Sequence, residues 1–313
     1  MLWTEANAML AFLQVVIAGL VTGSLYGLLA LGIVLIYRTT GVLNFAYGAI
    51  GALCAGFLYI LITGPQLNFW LALLVTLLFA LVVGIVLERG FARPVLHAPV
   101  FTKAIATLAL ALVLETLAQA IWPQLASPQH FFTPFEGKAL NLHGLYISAI
   151  DIVILVVTAL LMLGLNLFLT RTRQGIAMRA MADNIPASRL MGAPVGRIFM
   201  VVWALGALVA TISAVLLASR QELISVQFMD PVLLLAFVGA VLGGLDSLPG
   251  ALLGGILIGL ADNILGYVLA GHTLGPLNIS DPGIRETLIF GGFVLVLLLR
   301  PQGLWGRALL RRV

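Results

Sequence analysis

The sequence predicts an all-α polytopic membrane protein with about 8–9 transmembrane helices, one or two of them broken or re-entrant. Three observations carry that prediction. Hydrophobic residues are 62% of the 313, against roughly 45–50% in soluble domains. Charged residues are only 9%, where a soluble chain carries about 25%, too few to cover a soluble surface of this size. The apolar residues also fall in long runs, the first between Glu5 and Arg38 without an Asp, Glu, Lys or Arg inside it. At 1.5 Å per residue, about 20 apolar residues cross a ~30 Å hydrocarbon core.

Apolar segments lie near 10–37, 41–62, 68–87, 104–122, 148–170, 198–219, 232–245, 249–270 and 286–299. Two are unusual. The segment 41–62 opens with Gly41 and carries Asn44, Gly48, Gly51 and Gly56, so part of it is expected to be unwound. The segment 232–245 is short for a crossing and runs through Gly239, Gly243 and Gly244 into a turn at 246–250, the pattern of a half-crossing or re-entrant helix.

Basic residues orient these spans. Arg89, Arg93 and Lys103 lie in one connection, Arg171, Arg173, Arg179, Arg189 and Arg197 in another, and Arg300, Arg307, Arg311 and Arg312 in the tail. The positive-inside bias puts these three segments in the cytoplasm, with the N-terminus periplasmic and the C-terminus cytoplasmic. The N-terminal stretch lacks the basic region of a secretory signal. With no low-complexity linker, residues 1–313 read as a single transmembrane domain, and 123–147 is its longest outer connection. The aromatics of that connection, Phe131, Phe132 and Phe135, suit the headgroup level or a docking surface for an external partner. The net charge of +4 follows from cytoplasmic arginines and implies no nucleic acid.

Enzymatic chemistry has no support. The four histidines, His97, His130, His143 and His272, are scattered over three connections, so no metal site is expected. Cys54 has no partner thiol in the chain and reads as a packing residue. No G-x-x-x-x-G-K-[ST] phosphate loop occurs, so no nucleotide or other cofactor is expected on this chain and no residue reads as catalytic. Glu115, Asp151 and Asp262 are acids in or near spans, with no apparent intramembrane Lys or Arg to match them and no chain of ionisable residues for a proton relay. Gly19, Gly23 and Gly27 form one smooth helix face, and Gly250 with Gly254 and Gly255 with Gly259 form others. Such faces allow close helix packing in lipid; alternatively, they slide or line a pathway. The likeness of 19–29 to 250–260 also suggests the remnant of a repeated half.

The cytoplasmic stretch 171–197 is too long for a simple hairpin. It predicts a short helix over 175–183, a break at Asn184–Pro186, a second turn or two through Leu190, and a stop at Gly192-Ala193-Pro194. Ile176, Met178, Met181, Leu190 and Met191 are apolar residues among its arginines, forming an amphipathic knob suited to docking a cytoplasmic protein.

Three stretches, in this order, carry a family resemblance: 19–51 with its NFAxG core at Asn44–Gly48, the cytoplasmic 175–194, and 240–262 followed by a final span and 300–306. The chain resembles the LivH-type permease subunits of bacterial branched-chain amino acid ABC importers. The resemblance implies an inner-membrane subunit that moves branched-chain amino acids or a related small polar solute, with no catalysis of its own. It implies a second, LivM-like permease subunit, two ATP-binding cassette subunits that bind the ATP, a periplasmic solute-binding protein, and contact with membrane lipids. Gly175, Arg179, Ala180, Asp183, Ala187 and Gly192 match the family's coupling loop, and Asn44, Phe45 and Gly48 the element near the pathway. Tyr47 stands where His or Gln is common, and Leu245-Asp246-Ser247 where Ile-Gly-Ser is common; urea, amides and aromatic acids are substrates of related permeases. The competing reading is a stand-alone carrier or channel; a membrane enzyme or anchor lacks the ionisable clusters it needs.

Overall fold

The structure is a computed structural model that describes residues 2–96, 98–142, 144–274, 277–278 and 281–306. His97 and His143, and the tail arginines Arg307, Arg311 and Arg312, lie outside the described residues. The chain forms two compact units, one of Met1–Leu31, Gly137–Val156 and Leu234–Val313, the other of Gly32–Glu136 and Val157–Leu233.

In chain order the elements are α1 (Leu2–Thr40), α2 (Tyr47–Thr63) and α3 (Phe69–Leu87), which continues through a π turn at Glu88–Ala92 into α4 (Arg93–Val95). Then come α5 (Val100–Ile121), β1 (Gln129–His130), β2 (Ala139–Leu142), β3 (Leu145–Ser148), α6 (Ala149–Arg171), α7 (Arg173–Asp183) and α8 (Ile185–Leu190). The chain finishes with α9 (Val195–Gln221), β4 (Leu223–Ile224), α10 (Asp230–Gly243), α11 (Leu248–Leu269), β5 (Thr273–Leu274), β6 (Leu277–Asn278) and α12 (Pro282–Leu299). The fold is therefore mostly helical and polytopic. Six helices among the described residues are long and apolar enough to cross a bilayer: Met9–Thr40, Phe69–Val95, Val100–Ile121, Ala149–Arg171, Val195–Gln221 and Leu248–Leu269. Tyr47–Thr63 and Asp230–Gly243 are shorter apolar helices. Three antiparallel two-stranded ladders, β1 with β4, β2 with β3 and β5 with β6, join connections that the hydropathy pattern leaves as loops.

The larger unit is built around α9. Helices α2 and α3 pack on it, and α2 also packs on α5. The reason for the α3 contact is legible in its sequence: Ala72, Thr76, Ala80 and Gly84 repeat every four residues and are buried, while Leu74, Leu78, Val82 and Val86 form an exposed stripe. Residues four apart share a helix face, so small side chains meet α9 and large ones are left uncovered. A Cβ on Gly84 would lie 2.6 Å from the Trp203 carbonyl oxygen of α9. Burial follows the same division. The apolar window of α9 is 72% buried, against 22% for α3, α5 and α6.

In the other unit, the glycine faces meet one another. Gly19, Gly23 and Gly27 on α1 lie against 252–260 of α11: a Cβ on Gly23 would sit 2.6 Å from the Ile256 backbone, and those on Gly255 and Gly259 would run into the backbones of Gly27 and Gly23. The opposite face of α11 does the same with α10, where Gly239 and Gly243 meet Gly254, Gly255 and Gly250. The two similar stretches, 19–29 and 250–260, are thus the two sides of one interface. With no hydrophobic drive between helices in lipid, such backbone approach supplies the packing energy.

Candidate functional site

Helix α1 ends where Gly41 takes a φ of +67° and its N–H closes on the Tyr37 carbonyl at 2.7 Å, the left-handed stop that glycine adopts without steric penalty. Residues 41–46 are non-helical, and α2 starts only at Tyr47. Inside this break the backbone is held by side chains. Asn44 Oδ1 accepts the Ala46 N–H at 3.1 Å. Thr107 of α5, wholly buried, accepts the Phe45 N–H at 3.3 Å. Its hydroxyl lies 3.0 Å from the Leu43 carbonyl and 2.9 Å from that of Ala104. Thr107 is a positioning residue that sequence reading missed; a threonine in an apolar helix carries no signal until the break is seen to pack beside it.

The candidate pathway residues Asn44, Phe45, Tyr47 and Gly48 are adjacent here but largely enclosed. Asn44 is 3% exposed and Tyr47 is 0%; Gly48 is buried and Phe45 half-buried. The Tyr47 hydroxyl lies against Gly32 of α1, where any Cβ would overlap it. A Cβ on Gly48 would come within 3.2 Å of Leu233. Asn44 Nδ2 and the Tyr47 hydroxyl have no hydrogen-bond partner among the described residues, and buried polar atoms of this kind are uncommon enough to ask for a reason.

The arginine-rich segment 171–197 forms two helices. Thr172 caps α7 by accepting the Gly175 N–H at 3.0 Å. Gly175 is pressed onto the end of α6, where a Cβ would lie 2.5 Å from Leu169 Cα. Asn184, with φ −160°, ends α7 and caps α8 by accepting the Ala187 N–H at 2.9 Å. The break predicted at Asn184–Pro186 is therefore the single residue Asn184, because Ile185 and Pro186 already belong to the first turn of α8, where proline's missing N–H costs nothing. Gly192 takes a φ of +84° and α9 begins after Pro194. Met178 and Met181 are buried, but Leu190 and Met191 are each 89% exposed and Ile176 is 50% exposed. The amphipathic segment thus has two apolar sides: one packs inward and the other points away from the protein. Arg179, Ala180, Asp183 and Ala187 are exposed as well.

One expectation about charge is overturned. Asp262 on α11, 7% exposed, is matched: Arg285 Nε lies 2.8 Å from its Oδ1, and the Tyr26 hydroxyl donates to its Oδ2 at 3.3 Å. Arg285, just before the apolar segment 286–299, lies in the first turn of α12, beside α11, where its long side chain reaches in over Gly266. Distance makes this an ion pair, while the Nε–H direction misses the oxygen, so charge rather than an aligned hydrogen bond holds it. Glu115 accepts from Gln227 Nε2 at 3.4 Å.

The β1–β4 ladder also brings His130, Glu136 and Glu222 together, with ligand atoms within 4.8 Å of one another. His130 Nε2 is 3.2 Å from Glu136 Oε1. These residues are scattered along the sequence, and the pairing of 129–130 with 223–224 is not visible in it. All three are exposed, and exposed acidic groups are common without an ion.

The model of the branched-chain amino acid transport system / permease component family matches residues 15–299. The chain belongs to that family. The similarity is spread over the whole length. It is 30% identical over 312 residues to the high-affinity branched-chain amino acid transport system permease protein BraD of Pseudomonas aeruginosa, covering 96% of this chain and 98% of that one. It is 27% identical to LivH of Escherichia coli K12, the permease protein of a system of the same title, covering 97% and 98%. To that organism's LivM permease protein it is 28% identical, covering 90% of this chain and 67% of that one. The resemblance found in three stretches thus extends across the chain. The protein is a multi-pass inner-membrane permease component of this transport family and not an enzyme. The stand-alone carrier is the poorer reading.

Proposed function

We propose that this permease component forms half of the translocation pathway of an ATP-driven importer for branched-chain amino acids or a related small polar solute. The observation that carries the docking part is the hairpin of α7 and α8, which leaves Leu190 and Met191 each 89% exposed and carries Arg179 and Asp183, also exposed. Large side chains left uncovered on a basic element suit another protein better than water. Two ATP-binding cassette subunits, one on each permease half, are that protein in this reading, and Gly175, Arg179, Ala180, Asp183, Ala187 and Gly192 form the coupling loop. ATP stays on those subunits, and this chain holds no cofactor. The other half is a LivM-like permease subunit, and a periplasmic solute-binding protein delivers the solute. The basic connections face the cytoplasm, with the N-terminus outside and the C-terminus inside. The single permease domain spans the bilayer with about 8–9 helices, α2 and α10 being the incomplete ones.

The break at 41–46 is the pathway element. A zwitterion can pass exposed backbone groups and helix ends without buried countercharges. Asn44 Nδ2 and the Tyr47 hydroxyl, both buried without partners among the described residues, are the donors a passing carboxylate would meet when the helices shift between outward and inward states.

The test combines Arg179→Glu with Asp183→Arg. The residues are four apart, so the exchange keeps an i,i+4 pair on the helix while inverting the charge it presents. ATPase co-purification is expected to be lost and leucine uptake to fall about tenfold, the scale of a lost interfacial charge contact, with permease abundance unchanged. Unchanged recruitment and uptake would remove the docking assignment; transport by the lone chain in liposomes without ATP would remove the importer.

A further inference from the structure

At one end of the α9-containing unit, four apolar helices begin or end around a cavity of about 340 Å³. Thr40 closes α1 there, the α3–α4 extension brings Arg93, the first turn of α5 brings Lys103, and α9 enters with Val195 and Phe199. The short helix α8 covers one side with Ile185 and Arg189. Three cations thus meet at a common helix boundary, and their charge is only partly balanced. Glu88, 1% exposed on the π turn, binds Arg93 through Nε at 3.1 Å and Nη2 at 3.2 Å. That leaves Arg93 Nη1 and one Nη2 proton available. Lys103 and Arg189 have no acidic partner among the described residues. The remaining walls are apolar, from Leu96, Ile185, Val195 and Phe199.

We infer that this cavity binds a phosphate group, supplied by the headgroup of an anionic phospholipid. Two cations without counterions at one site repel each other, and an anion relieves that cost. The choice of lipid over a free ion rests on position and lining. The cavity lies where membrane helices end, the level at which phosphodiesters sit, and its apolar wall suits a glycerol and the first methylenes of an acyl chain. Basic pockets between membrane helices at this level take such headgroups. Because α8 contributes Arg189, a bound headgroup ties the hairpin of α7 and α8 to the helices beneath it. The inference goes beyond the transport reading and does not depend on it.

The test uses the full chain in uncharged detergent with a fluorescent phosphatidylglycerol, competed by unlabelled phosphatidylglycerol, by phosphatidylcholine and by inorganic phosphate. Phosphatidylglycerol is expected to displace the probe where phosphatidylcholine and millimolar phosphate do not. Lys103→Gln with Arg189→Gln is expected to weaken phosphatidylglycerol binding roughly thirtyfold, from the usual contribution of two basic residues at an anionic surface. Arg300→Gln, exposed and not part of the cavity wall, should leave it unchanged. Equal competition by phosphatidylcholine, or wild-type affinity in the double variant, would overturn the inference. Displacement by inorganic phosphate as effective as by lipid would reassign the source to a free anion. Loss of lipid binding when ATPase subunits are added would assign the cavity to a protein partner and overturn the lipid.

Discussion

A carboxylate on a membrane helix is costly unless a cation and a donor reach it, and Asp262 has both in Arg285 and Tyr26. Removing one member of a buried pair typically costs about 3–5 kcal/mol, because the other charge stays behind unpaired. Here the Arg285 side chain is 33% exposed, so solvent and headgroups take up part of that loss and the lower end applies. Asp262→Ala is therefore expected to lower the thermal unfolding midpoint in detergent clearly, whereas Asp262→Leu combined with Arg285→Leu lowers it less. Equal losses would mean that charge pairing is not what the site supplies. Gly255 has no such freedom: its neighbour is the Gly27 backbone, which cannot move aside as a side chain does. Gly255→Val should cost at least the roughly 1–3 kcal/mol of ordinary overpacking, seen as loss of monodisperse protein after extraction.

At the level of elements, the hairpin of α7 and α8 depends on Asn184, which ends one helix and caps the next. Helix α8 is only six residues long, too short to be stable on propensity alone. An asparagine cap is worth about 1 kcal/mol. Asn184→Ala is expected to speed amide hydrogen exchange at 187–190 roughly fivefold while leaving the amides of α9 unaffected. No change there would mean that packing, and not the cap, holds α8. The start of this hairpin, predicted at 175, lies at Arg173, behind the Thr172 cap, but its break and its stop were readable because Asn184, Pro186 and Gly192 are local signals. The outward direction of Leu190 and Met191 was not, because hydrophobicity says that a side chain seeks cover and not which molecule provides it.

For the whole molecule, orientation in the bilayer is the property on which the docking proposal depends. Cys54 is buried, so Cys54→Ala supplies a thiol-free background for labelling. Phe132 is 56% exposed in the 123–147 connection, and Arg173 is exposed at the start of α7. Phe132→Cys is expected to react with a membrane-impermeant maleimide in intact cells, and Arg173→Cys only after the membrane is opened. The reverse pattern would put α7 and α8 outside and remove any contact with a cytoplasmic ATPase.

The sequence by itself determined the solvent and the helices. Backbone groups in hydrocarbon must be satisfied within their own segment, so apolar runs bounded by glycine, proline and capping residues leave little choice of secondary structure. Its order of three motifs also pointed to the family that full-length similarity then showed. Tertiary structure alone decided which groups meet. Asp262 and Arg285 are paired across two helices, Thr107 steadies a break formed by residues 41–46, and 19–27 lies against 252–260. Arg93, Lys103 and Arg189, useful in the sequence only as markers of the cytoplasmic side, become neighbours in one cavity. Charge counted along a chain reports which side of a membrane it favours; only the packing of helix ends decides whether those charges share a site.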